Sequence, residues 1–99
     1  MTDALFRPTL VDLSDNTTSV TTSPALLRGI SIQTGNSGQS VPIKNGSAGS
    51  TIFTVPASAS AGDWYECGDT RMESGIYVDP NDAATGIISV IWKPLPVVE

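Results

Sequence analysis

The chain has 99 residues, enough for one domain and too few for two. Only 15% of them are charged, and ten acids against five bases leave a net charge of −5, which argues against partners that need clustered Lys and Arg, such as nucleic acid or an anionic membrane surface. Histidine is absent and cysteine occurs once. Within one chain that removes the Ser/His/Asp and Cys/His nucleophile arrangements, a Cys-rich zinc site and an internal disulfide. Small hydroxyl residues in place of runs of Ala, Leu, Glu and Lys point to an all-β domain.

Taken in order, "MTDALFRPTL" lacks the basic start and long apolar run of a signal peptide. No segment approaches the roughly 20 apolar residues of a membrane span. Residues 1–13 carry Leu5, Phe6, Leu10, Val11 and Leu13, and Pro8 makes them an N-terminal arm or an edge strand. A weak strand is expected over residues 19–22. "ALLRGISIQT" follows with strict alternation, Leu26, Arg28, Ile30 and Ile32 on one face and Leu27, Gly29, Ser31 and Gln33 on the other. "QSVPIK" turns Val41 and Ile43 to one side, with Pro42 suggesting another edge strand. "NGSAG" opens on the Asn-Gly of a hairpin turn, and "STIFTVP" is the strand after it.

Further on, "DWYECG" is a short strand with Trp64 and Tyr65 on opposite faces. "RMESGIYVD" places Met72, Ile76 and Val78 together against Tyr77. "IISVIWK" is apolar on both faces, as a central strand is, and residues 94–99 form a proline-fixed extended tail. Seven or eight short strands with turns between them predict a compact antiparallel β-sandwich or small jelly-roll-like barrel, a single β domain over residues 1–99.

"VDPNDAATG" is the one stretch with the look of a metal loop, because Asp79, Asn81 and Asp82 fall within four positions. A calcium loop counted from Asp79 needs Gly at its sixth position and Glu at its twelfth. Those positions are Ala84 and Val90. The turn preferences of Pro80, Asn81, Asp82 and Gly86 instead predict a hairpin between two apolar strands. No metal ligand set and no cofactor is expected. Cys67 is expected to be a buried small residue, its lone thiol suited to a reducing cytoplasm. Glu66, Asp69 and Glu73 are too common a surface pattern to be taken as a glycosidase carboxylate pair, so the chain is not expected to be an enzyme. The acids of the second half form either a solvated face or one that meets a basic partner.

Two features suggest contact. Trp64 and Tyr65, beside Gly62 and Asp63, are candidate exposed aromatics, as in a sugar-stacking platform, although packing is the commoner use of such residues. The two ends are apolar and proline-broken, so Leu5, Phe6, Arg7, Pro8 and Leu10, with Leu95, Val97 and Val98 at the other end, are the candidate interface with a neighbouring subunit. Arg7 would serve as an anchor.

The cadence of "LFRPT", "SPALLRGISIQT", "STIFTVPASASAG" and "SGIYVDPNDAATGIISVIW", closed by a proline-rich end, resembles the decoration or cement proteins of tailed bacteriophages. The resemblance covers most of the chain, and its motifs are strands and turns rather than chemistry. It implies a β-rich virion protein made in the host cytoplasm. That protein would bind the major capsid protein on the capsid exterior at junctions between subunits, often as a homotrimer, with neither nucleic acid nor membrane as partner. A tail or head-fibre component and a carbohydrate-binding module are the alternatives.

Overall fold

A computed structural model describes residues 5–15, 18–36, 38–80 and 83–95. Eight strands follow one another: β1 (Arg7–Asp12), β2 (Thr18–Thr21), β3 (Ala25–Thr34), β4 (Val41–Asn45), β5 (Thr51–Val55), β6 (Trp64–Met72), β7 (Ile76–Val78) and β8 (Ile87–Pro94), with a 3-10 turn at Leu13–Asp15 after β1. They form two four-stranded sheets, sheet A in the order β1-β8-β3-β6 and sheet B in the order β2-β7-β4-β5. Every pairing is antiparallel. The pairs β1 with β8, β2 with β7, β3 with β6 and β4 with β5 describe one long hairpin, its tip at β4–β5, wrapped around a core. That is the jelly-roll way of folding eight strands into a sandwich, so the expected all-β sandwich or jelly roll is the fold.

The one direct hairpin, β4–β5, lies where Asn45-Gly46 begins the turn. Every other connection passes from one sheet to the other. This overturns the hairpin expected at residues 79–86: β7 belongs to sheet B and β8 to sheet A, so the loop is a crossover between layers. Its turn residues are what a crossover needs as well, which is why the sequence signal does not separate the two. Gly86 has φ of 117°, and a Cβ there would come within 2.9 Å of the Gly35 carbonyl oxygen, so only glycine suits this re-entry into a strand. Asn81 and Asp82 lie outside the described residues.

Three other expectations change. Arg28 is an extra residue in β3, since Leu27 pairs with Trp92 of β8 and Gly29 with the adjacent Ile91. This bulge switches the inward face from Ala25 and Leu27 to Ile30 and Ile32, breaking the alternation read from the sequence. Pro42 is not on an edge strand, because β4 lies between β7 and β5. It is tolerated because it stands just past the last β4–β7 pair, Ile43 with Val78, and uses only its carbonyl there, accepting from Asp79 N at 3.0 Å. The segment from Trp64 to Met72 is one strand, kinked at Gly68 and Asp69, whose φ values of 66° and 55° are both left-handed.

The core is one cluster between the sheets. Leu27, Ile30, Ile32, Ile88, Val90 and Trp92 come from sheet A; Val41, Ile43, Val55, Ile76 and Val78 come from sheet B. Each large aliphatic removed from water here contributes about 1.5–3 kcal/mol before entropy is charged against it. Trp92 closes one end: its Nε1 donates to Thr9 Oγ1 at 2.9 Å, and the Arg7 guanidinium lies over the ring, 5.1 Å from its centroid. Phe53 and Tyr65, with centroids 5.8 Å apart, close the β5–β6 side. At the loop end Asn36 is buried. Its N donates to Ala59 O, and its Nδ2 donates to Gln39 O and Pro56 O.

Candidate interaction surface

Strand pairing decides which side chains share the outer face of sheet A. Where β8 turns Ile88, Val90 and Trp92 inward, it turns Ile87, Ser89, Ile91 and Lys93 outward. Two rows cross the middle of this face. One runs Pro8, Ile91, Gly29, Glu66; the next runs Leu10, Ser89, Ser31, Trp64. Glu66 is the only charge in either. Leu10 is 65% exposed and Trp64 45%, an unusual pair of large apolar side chains to leave on one flat face.

Trp64 is held rather than loose. The ring lies across Gly29, so close that a Cβ on Gly29 would come within 2.4 Å of its six-membered edge. Its Nε1 donates to Glu66 Oε1 at 3.1 Å, and Glu66 Oε2 accepts from Gly68 N at 3.2 Å. Gly29 is therefore glycine because an indole occupies the space of its side chain. A glycine inside an otherwise good strand is the sequence signal for such a close approach. Tyr65 points the other way, into the Phe53 contact, and burial pushes its hydroxyl pKa up. The two aromatics share no face, as their alternation predicts, so they cannot form one platform together.

The ends of the face differ. At the end where β8 finishes, Phe6 packs on the Arg28 guanidinium, 3.6 Å from the ring centroid, with Lys93 5.0 Å away on the same ring. Arg28 Nε and Nη2 donate to Asp69 Oδ1 and Oδ2 at 3.0 and 3.3 Å. That bond holds the Asp69 carboxyl below the usual carboxylate range. Arg71 pairs with Glu73 beside it. At the opposite end stands Asp12, its carboxyl pKa lowered by the Ser14 hydroxyl and N–H. Asp63 precedes β6 at the other edge of the sheet and turns to the Tyr65 side, where it accepts from Ser60 N and the Tyr65 hydroxyl.

The proposed interface residues thus divide. Leu5, at 82% exposure, Pro8 and Leu10 face outward. Phe6 and Arg7 fold back onto their own sheet. Leu95 is half-buried and ties its N–H to Pro24 O at 3.0 Å. Val97 and Val98 lie outside the described residues. Sequence reasoning missed Gly29, Ser31, Glu66, Ser89, Ile91 and Lys93 as members of the same surface, because cross-strand register assembles it and no contiguous motif does.

The remaining chemistry is quiet. Asp79 is engaged by Lys44 Nζ at 2.8 Å. Glu66, Asp69 and Glu73 each have their own donor. Among the described residues no group of three potential metal ligands occurs. Burial, with Glu66 nearby, pushes the Cys67 thiol up to about 11, so at neutral pH it is a neutral thiol rather than a nucleophile. A shallow cup of about 290 Å³ at the β4–β5 turn is lined by Asn45, Ser47 and Ser74 among other small residues. Asn45 Oδ1 in that cup is already taken by Ser74 N at 2.8 Å. No helix among the described residues is long and apolar enough to cross a membrane. Comparison with known proteins found no matching protein family, no matching curated protein and no matching solved structure.

Proposed function

We propose that the protein is a non-enzymatic structural component of a bacteriophage virion, which binds the outer surface of the capsid and stabilises contacts between capsid subunits. The observation that carries this reading is the middle of the outer face of sheet A, where Leu10, Ile91 and Trp64 stand in rows whose single charge is Glu66. Contact, repeated many times, is the activity such a surface is suited to. A protein that binds only the assembled shell adds its binding free energy to that state alone, and copies joined together add further through effective concentration. The resemblance to decoration proteins supplies the capsid as partner, with a homotrimer as the expected assembly. The apolar chain end at Leu5 is available beside the sheet face to reach it.

Co-sedimentation with purified capsids that lack the protein tests this. Deleting residues 1–10 would be a poor variant, because four of the six residues of β1 go with them and Trp92 is uncovered. Deleting residues 1–5 leaves β1 whole. The truncated protein should unfold at the same denaturant concentration and bind capsids at least tenfold more weakly. Full-length protein that fails to sediment with capsids at tens of micromolar would end the proposal. Immuno-electron microscopy of intact particles separates the head from the tail, the alternative location.

A further inference from the structure

The outer face of sheet A carries opposite charge at its two ends. Lys93, at one end, has no carboxylate within 4.0 Å among the described residues, and Asp12, at the other, has no Lys or Arg within that distance. The ends are about 20 Å apart, the six steps along β8 from Ile87 to Lys93. Between them the relief alternates: Ile91 stands beside Ser89 along β8, and Leu10 beside Pro8 along β1. Trp64 is fixed flat by Glu66 and Gly29, so ordering it against a partner costs little entropy.

We infer that this face is covered by a second copy of the same chain, packed sheet to sheet with its strands running the opposite way. The two-fold axis lies in the contact plane and crosses the strands. Under that operation β8 lies over the second copy's β8 and β1 over its β1, each reversed. Ile91 then meets the second copy's Ser89, and Leu10 meets its Pro8, so large side chains stand opposite small ones at the roughly 10 Å spacing of packed sheets. The Lys93 end lies over the Asp12 end, and the contact is made twice, as an isologous interface requires. An axis along the strands would put like charges together at both ends. A basic or acidic foreign partner would satisfy one end and oppose the other, whereas a copy of this face satisfies both.

The inference takes up the self-association within the proposed function, gives the sheet face to the second copy and leaves the exposed chain end at Leu5 for the capsid, which it does not need. Loss of capsid binding leaves it standing, and capsid binding by a monomer overturns it alone. It also gives a pair where the resemblance implies a trimer, and a measured mass separates them.

The test is light scattering and sedimentation equilibrium on the full chain from about 1 to 200 µM. The expected result is a reversible dimer. Leu10→Asp should be monomeric and, at concentrations where the parent is also monomeric, should keep the parent's denaturation midpoint, since Leu10 is already exposed. Thr54→Asp, on the exposed side of sheet B, should dimerise like the parent. Lys93→Glu and Asp12→Lys should each weaken the dimer at least tenfold in low salt, and the double variant should recover to within about threefold of the parent. A parent that is monomeric throughout, a trimer, a Leu10→Asp protein of unchanged mass, or a double variant no better than the singles would each overturn the inference. So would a monomer whose Trp64→Ala variant loses saturable binding on a glycan array, because the face would then belong to a sugar.

Discussion

The outer faces of the two sheets are built by the same rules and end in different surfaces. On sheet B the outward residues include Ser19, Tyr77, Lys44 and Thr54, and Lys44 is bonded to Asp79. Hydroxyls and an ion pair on β-branched strands are what a solvated sheet needs, and such a face says nothing about partners. On sheet A the equivalent positions hold Leu10, Ile91 and Trp64 among Gly29, Ser31 and Ser89. Ser89 is only 4% exposed although it points away from the core, because its larger neighbours already shade it. The contrast is one of degree: sheet B exposes Ile52 among hydroxyls and an ion pair, whereas sheet A leaves both Leu10 and Trp64 in solvent on one face.

The largest perturbation removes the support under face A alone. Trp92→Ala should destabilise the protein by about 3–5 kcal/mol, read as a lower denaturant midpoint. The ring is the inward partner of Leu27, holds Thr9 of β1 and underlies Arg7. Amide exchange should accelerate in β1 before it does in β4 and β5. Uniform acceleration across both sheets would show that β1 has no stability of its own to lose and would erase the contrast.

A smaller change acts on the face directly. Gly29→Ala places a methyl where the Trp64 ring lies and 2.7 Å from the Tyr65 carbonyl oxygen. The indole can swing away, but the backbone cannot, so a cost of about 1–3 kcal/mol is expected. With Trp64 lifted off the sheet, tryptophan emission should shift to the red. An unshifted spectrum with unchanged stability would mean that the ring is not pinned to Gly29.

Much of the fold was legible in the sequence. β4, β5 and β8 stand where β-branched runs lie between turn formers, and Trp92 is in the core as the most apolar strand suggests. The failures have one cause. The sequence shows unbroken alternation through Arg28, while a bulge there moves Leu27 to the same side as Ile30. The turn residues at 79–86 suit a hairpin, while β7 and β8 separate into different sheets. Local pattern fixes where a strand is, but a bulge or a change of layer is decided by the neighbouring strand, which a single sequence does not name. The outer face of sheet A is half visible in the sequence for that reason. Leu5, Pro8 and Leu10 lie in one short arm and can be read together. Ile91, Ser89, Ser31 and Trp64 come from three strands and meet only through register.

The smallest expected effect concerns acid. Asp69 is bonded by Arg28, and Asp12 by Ser14, so both carboxyls on face A have lowered pKa values. A group whose pKa is depressed on folding adds stability above its unfolded value, about 3.9 for Asp, and loses it as pH falls through the lower folded value. Stability should therefore be level near neutrality and decline below about pH 4, as the unfolded chain takes up protons that the folded one resists. Asp69→Asn should make that decline shallower, as should Asp12→Asn, and salt tells the two apart. The Arg28–Asp69 bond is an exposed ion pair, open to screening, whereas Asp12 accepts from a neutral hydroxyl and an N–H. In 1 M salt the Asp69→Asn difference should shrink while the Asp12→Asn difference persists. If both persist equally, Arg28 is held by its packing against Phe6 rather than by charge, and the basic end of face A is an aromatic contact first and an electrostatic one second.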